Sequence, residues 1–236
     1  MNFGNRSEGR GSLLSYEQVR PLLRWTYAWM LLGLLVTAAV GSLTLSNITL
    51  RDLRFSNGIV LMAVIAEFVL VIALSWAMPR LAPSVAALMF IAYSALNGFT
   101  LSVIGLLYTS ESIISAFVTT AALFGAMSVF AFTTQIDLTK MGGFLLMGLI
   151  GILIAMVVNI FLRSDGLMFI INILGVLIFT GLTAYDTQKI KNMAAAEGLD
   201  GNPDLVTKLS IRSALILYLD FVNLFLFLLR LMGRRR

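Results

Sequence analysis

Seven apolar stretches, each long enough to cross the hydrocarbon core of a bilayer, follow one another along this chain. No other feature restricts the fold as severely. Inside lipid every backbone N–H and C=O must be paired within the structure, which leaves helices and closed barrels. Continuous apolar runs of about 20 residues fit helices rather than strands. The spans are expected at about 22–45, 58–78, 84–108, 113–133, 142–162, 167–190 and 210–230. The fold class that follows is an all-α integral membrane protein, one domain over 22–231 with a polar N-terminal tail at 1–21 and a basic C-terminal tail at 232–236. Charged residues make up only 12% of the chain, about half the share of a soluble domain.

Local signals mark the span ends. Trp25, Tyr27 and Trp29 near the start of the first span suit an interfacial aromatic belt. Pro79-Arg80 ends the second span, Asp137 and Lys140 mark the fourth-to-fifth loop, and Arg163, Asp165 and Gly166 end the fifth. Gly198 is placed to cap the sixth helix, and Asn202-Pro203 to start the seventh. The first residues lack an apolar core followed by a small-residue cleavage site, so a disordered or surface-lying tail is expected there rather than a cleaved signal peptide. With the N-terminus inside, Arg6, Arg10, Arg20, Arg24, Arg80, Lys140, Lys189, Lys191, Lys208 and Arg212 all fall on the inner side, and only Arg51, Arg54 and Arg163 in outer loops. The exception is the tail. Seven crossings put Arg230, Arg234, Arg235 and Arg236 outside, whereas a re-entrant last segment would keep them inside. Seven is the expectation, because Leu215–Leu229 is long enough to continue across.

The chain has neither cysteine nor histidine. Disulfides, thiol nucleophiles, histidine bases and the usual zinc sites are excluded together. No cofactor is expected. The net charge of +5 comes from residues flanking the spans, which points to an anionic leaflet and not to nucleic acid. The informative residues are the intramembrane acids: Asp186, Asp220 and, midway along the second span, Glu67. A lone carboxylate at that depth costs at least about 2.5–3.5 kcal/mol and is usually turned to a partner or a wet cavity. Glu67 reads either as a lining residue of an ion path or as a structural group bonded to a neighbouring helix. Asn223, one turn after Asp220, is placed to steady it, while Asn97 and Asn159 read as interhelical bonds. Gly142, Gly143, Gly148 and Gly151 give the fifth span a small face for close packing. A hairpin turning near Asp200 leaves Asp186 and Asp220 about 9 Å out of register at 1.5 Å per residue, so spacing alone does not bring them together.

GLTAYDTQKIK and LYLDFVNLFLFLLRLMG resemble the two signature stretches of the Bax inhibitor-1 (transmembrane BAX inhibitor motif) family, and YSALNGFTLS in the third span fits as well. The short tails and loops resemble its bacterial branch. The resemblance implies six helices around a central seventh and a pH-sensitive calcium leak in a bacterial inner membrane. It also implies that Asp186 and Asp220 form a hydrogen-bonded pair, and that Glu67 matches a mid-membrane glutamate common in the family. In some members an arginine at the inner end of the second helix latches onto the pair. Here the end reads SWAMPR, with Arg80 nearby and Met78 at the aligned place.

Such a pair has a definite chemistry. Two ionised carboxylates about 4 Å apart repel by roughly 4 kcal/mol at an effective dielectric of 20, and one shared proton removes that repulsion and makes a strong hydrogen bond. The result is a proton sensor without histidine. Doubly ionised, Asp186 and Asp220 offer oxygen ligands to calcium, a weak site for a passing ion rather than a bound cofactor. Two other classes stay open. Paired aspartates also serve intramembrane aspartyl proteases, but those need a Gly-x-Gly-Asp phrase, and this chain reads Leu217-Tyr218-Leu219-Asp220. The other is an interaction protein that modulates a membrane partner, such as a membrane-anchored protease.

Overall fold

An apolar run pairs its backbone most cheaply as a helix, and each expected span does so among the described residues. The structure, a computed structural model, describes residues 8–47, 49, 52, 58–196 and 202–236. Among these residues seven helices are long and apolar enough to cross a membrane. They are α1 (Glu8–Ser46), α2 (Ile59–Ala77), α3 (Pro83–Leu101), α4 (Ser110–Thr133), α5 (Gly142–Leu162), α6 (Asp165–Ala196) and α7 (Pro203–Met232). A single helical turn, Ile104–Leu107, prolongs α3, and 3₁₀ turns at Met78–Arg80 and Leu138–Met141 lead into α3 and α5.

The helix ends follow local chemistry. Thr109 caps α4, its hydroxyl accepting from the Ser112 N–H at 3.3 Å. Asn202 caps α7 through the Leu205 N–H at 3.1 Å, with Pro203 at the first helical position, where its missing N–H costs nothing. At the end of α5, Arg163 adopts a left-handed conformation with φ of 50°. The backbone carbonyl of Asn159 accepts from the Arg163 N–H, and its side-chain oxygen from the Ser164 N–H at 3.1 Å. Asn159 is therefore a helix cap, not the interhelical bond expected of it. The largest departure is at the start. α1 begins at Glu8, inside the expected tail, and continues through Pro21, while its membrane-length part begins at Arg20. Leu, Glu, Gln and Arg in that stretch are good helix formers. Residues 1–7 and the Gly198 cap lie outside the described residues.

Burial differs sharply among the spans. Half of the apolar window of α7 is enclosed, against a third of that of α6 and 11% of that of α2. Leu61, Met62, Phe68 and Trp76 on α2 and Phe144, Ile160 and Phe161 on α5 face outward, as lipid-contacting side chains do.

Contacts divide the chain into two compact units. One comprises residues 1–102 and 190–215. Here α1 and α3 approach closely through small residues. A Cβ on Gly98 would lie 2.5 Å from the Thr37 carbonyl oxygen, and one on Gly33 2.7 Å from the Phe90 ring. The Thr37 hydroxyl donates across the interface to the Ser94 carbonyl at 2.9 Å. With lipid as apolar as the side chains, such close packing and polar bonds hold helices together.

The other unit comprises residues 103–189 and 216–236. Its core joins Ile152 of α5, Ile171 and Phe179 of α6, and Leu224 and Phe227 of α7. Phe221 receives Phe117 and Phe124 edge-on at 5.5 and 5.4 Å. The glycine face of α5 is used only in part: Gly142 lies against Tyr185 and Gly148 against Ile178, whereas Gly143 and Gly151 meet nothing. The α4–α5 connection is folded, not loose. Asp137 accepts from the Thr139 N–H and hydroxyl, and the Thr139 hydroxyl is the main cause holding this carboxyl below its ordinary range. Leu138 is buried against Ala131 and Ala184. Beyond α7, residues 234–236 run antiparallel to the α3–α4 connection. Tyr108 bridges to Arg235, the Thr109 N–H donates to the Arg234 carbonyl at 3.3 Å, and the Arg236 N–H to the Leu107 carbonyl at 3.0 Å. The tail thus sits at the end of the membrane where α3 leads into α4, as seven crossings require and a re-entrant last segment does not.

Candidate functional site

Asp186 and Asp220 lie in the same unit, the first on α6 one turn before Lys189, the second within the enclosed part of α7. Their carboxyls lie within hydrogen-bonding reach of each other. An ionised carboxylate only accepts, so a bond between them needs one proton. Spacing alone left this approach open, and the fold brings the two acids together. Asp220 is 5% exposed. Its Oδ2 is buried and receives no N–H or hydroxyl donor among the described residues. Asp186 is more open, and Lys189 acts on it electrostatically while lying 5.6 Å from the Tyr185 ring centre.

The supporting residues fall differently. Asn223 does not steady the pair: its amide turns back and donates to the Leu219 carbonyl at 2.8 Å, the nearest acceptor one turn down its own helix. Arg80 ends the 3₁₀ turn after α2 and is exposed, with no ion pair among the described residues, while Met78 is buried. Glu67 shares the inward face of α2 with Ala63 and Leu74 and accepts from the Thr100 hydroxyl of α3 at 2.8 Å, so its structural reading has a definite partner. Asn97 donates to the Tyr93 hydroxyl of its own helix at 3.3 Å instead of bridging helices.

One residue escaped the sequence reading. Gln188, two positions beyond Asp186 and 6% exposed, grips the α4–α5 connection at both ends of its amide. Its Oε1 accepts from the Leu138 N–H at 2.7 Å and its Nε2 donates to the Ile136 carbonyl at 2.9 Å. Two positions along a helix are about 200° apart, so Gln188 and Asp186 anchor α6 on nearly opposite sides. The only sequence signal was an uncharged polar residue inside YDTQKIK.

Among the described residues no cluster of three or more acidic side chains forms a metal site. The pair alone supplies at most four carboxylate oxygens, and calcium takes 6–8 oxygen ligands. Water would have to complete the shell, which suits a passing ion better than a tightly held one.

Comparison with known proteins agrees with the two signature stretches. Residues 19–236 match the family described as Inhibitor of apoptosis-promoting Bax1. The inner membrane protein YbhL of Escherichia coli K12 is 47% identical over 211 residues, covering 89% of this chain and 90% of YbhL. An uncharacterized protein of Borreliella burgdorferi is equally similar, at 47% over 211 residues and the same coverage. One from Deinococcus radiodurans is 42% identical over 219 residues, 93% of each chain. Seven membrane-length helices, an aspartate pair joining the last two and this similarity along nearly the whole chain place it together: it belongs to the Bax inhibitor-1 family.

Proposed function

We propose that this protein is a pH-sensitive cation leak of a bacterial inner membrane, with calcium as the passing ion and the Asp186–Asp220 pair as its proton-operated gate. The observation that carries this reading is the approach of two carboxyls on adjacent helices to within hydrogen-bonding reach, one of them almost fully enclosed. While a proton bridges the pair, α6 and α7 are tied together. When it leaves, two charges in a low-dielectric setting must separate or recruit a cation. Protons and calcium then compete for the same oxygens. The inner-membrane placement leans on the printed name of YbhL, and the cytoplasmic N-terminus on the distribution of Lys and Arg.

The test is calcium flux into liposomes holding the purified chain, over a pH series on both sides of neutrality, since a coupled pair titrates as a unit. Asp186→Asn, Asp220→Asn and the double variant are run beside it. A flux that varies with pH in the parent and flattens in each variant is the expected result. No flux above empty liposomes at any pH sinks the leak, and the search then turns to a protein partner such as a membrane-anchored protease.

A further inference from the structure

One face of α6 carries polar atoms with nothing to bond to. The Asn172 amide oxygen and the hydroxyls of Thr180 and Thr187 are buried without a hydrogen-bond partner among the described residues. Taken at 100° per residue, these three positions fall within about 80° of one another, and the outward-facing Ile173 and Leu177 lie beyond them. A further atom in the same condition belongs to the same unit, the Ser128 hydroxyl of α4; Oδ2 of Asp220 likewise receives no N–H or hydroxyl there, but it belongs to the carboxyl that meets Asp186. Ser128 lies one turn from Phe124, which meets Phe221, and three residues before Ala131, which packs on Ala184. It therefore stands at the level of the aspartate pair. Asn172, Thr187, Ser128 and Asp220 are all more than nine-tenths buried.

Buried polar atoms in proteins are nearly always satisfied, and in a membrane no bulk solvent makes up the difference. One such atom is a local irregularity. Three on one helix face, with Ser128 and the aspartate pair beside one end of it, make a pattern. From Asn172 to Thr187 the helix rises about 22 Å, most of a hydrocarbon core about 30 Å thick. Thr183, on the same face between Thr180 and Thr187, satisfies its own hydroxyl on the Phe179 carbonyl at 2.8 Å. That bond leaves a lone pair on its oxygen free to accept.

We propose that this face of α6 lines a file of water molecules connecting the aspartate pair to the opposite end of the membrane domain. From Thr180 through Thr183 to Thr187 the oxygens recur at successive helical turns, with Asn172 about 12 Å beyond Thr180, and water is the ligand that satisfies such groups in a narrow space. Between Asn172 and Thr180 the file passes the Phe179 and Phe227 rings, 5.7 Å apart, with Phe227 seated on Gly175. This stretch is its apolar neck. As the route of the ion the file rests on the leak reading; as a hydrated track it stands by itself.

The natural chain has no cysteine, so single cysteines report cleanly. Asn172→Cys, Thr180→Cys, Thr187→Cys and Ser128→Cys are placed in the full chain in liposomes, with Ile173→Cys and Leu177→Cys as lipid-facing controls on α6. Each is exposed to a small cationic methanethiosulfonate reagent. Reaction needs a hydrated thiolate, so the four track positions are expected to react at least about tenfold faster than the controls. Thr→Cys and Ser→Cys are nearly isosteric, and each variant must run as a single species on gel filtration. Rates at the track positions no higher than at 173 and 177 overturn the proposal. Reaction at 128 and 187 alone also overturns it, since the water then stops at the pair. Labelling along the track in a protein that passes no calcium leaves the file standing and removes the leak.

Discussion

At the residue scale the two acids of the site differ in what they require. Asp220 is enclosed and leans on Asp186 for its bond. An asparagine amide in its place can donate to the Asp186 carboxylate with no proton to share. Asp220→Asn is therefore expected to keep thermal stability within about 1 kcal/mol of the parent, measured by unfolding in detergent, while its flux no longer varies with pH. Glu67 depends on a hydroxyl instead. Thr100→Val removes the 2.8 Å bond and is expected to cost about 0.6–2 kcal/mol, the range for polar bonds between membrane helices. An unchanged unfolding midpoint would mean the bond adds nothing. The sequence could name Asp186, Asp220 and Glu67 because a charge among apolar residues stands out by itself. It could not say where an amide turns. Asn223, Asn159 and Asn97 each found an acceptor or donor within about a turn of their own helix, and local bonds of that kind leave no trace in spacing.

At the scale of elements, α6 is the helix under most constraint. It is bonded to α7 through the pair and to the α4–α5 connection through Gln188. Replacing Gln188 with Leu strands a buried N–H and a carbonyl. A loss of about 1–3 kcal/mol is expected, together with faster tryptic cleavage after Lys140; cleavage at the parent rate would count against the grip. α1 and α3 are constrained by volume instead. Gly98→Ala puts a methyl 2.5 Å from a backbone oxygen, and overpacking of that kind is expected to cost about 1–3 kcal/mol, read as a lower unfolding midpoint. The span ends were legible to different degrees for physical reasons. The limits of α5 at 142 and 162 coincide with the expectation, because glycines and a charged turn bracket it. α1 ran past its expected start because polar residues outside the membrane can stay helical. Gln188 was invisible because its partners are backbone atoms 50 and 52 residues away.

At the scale of the whole molecule, the number of crossings fixes the side on which the chain finishes. The antiparallel bridge between Tyr108 and Arg235 holds the last residues beside the connection from α3 to α4. A cysteine at Arg235 and one at Ser112 are therefore expected to react with a membrane-impermeant maleimide from the same side of intact cells, and a cysteine at Lys140 from the opposite side. Opposite results for 112 and 235 would refute seven crossings.

The enclosure of α7 also bears on how the molecule is made. Helices leave the ribosome in chain order, and the helix with half its apolar window buried is the last of the seven to enter the bilayer. Until it arrives, Asp186 has no second carboxyl with which to share a proton, and Phe179 has no Phe227 to pack against. The first six spans are apolar enough to wait in lipid, but they wait incomplete. The arrival of this 30-residue helix is thus the step that covers the acid of the sixth span and closes the core around Phe179.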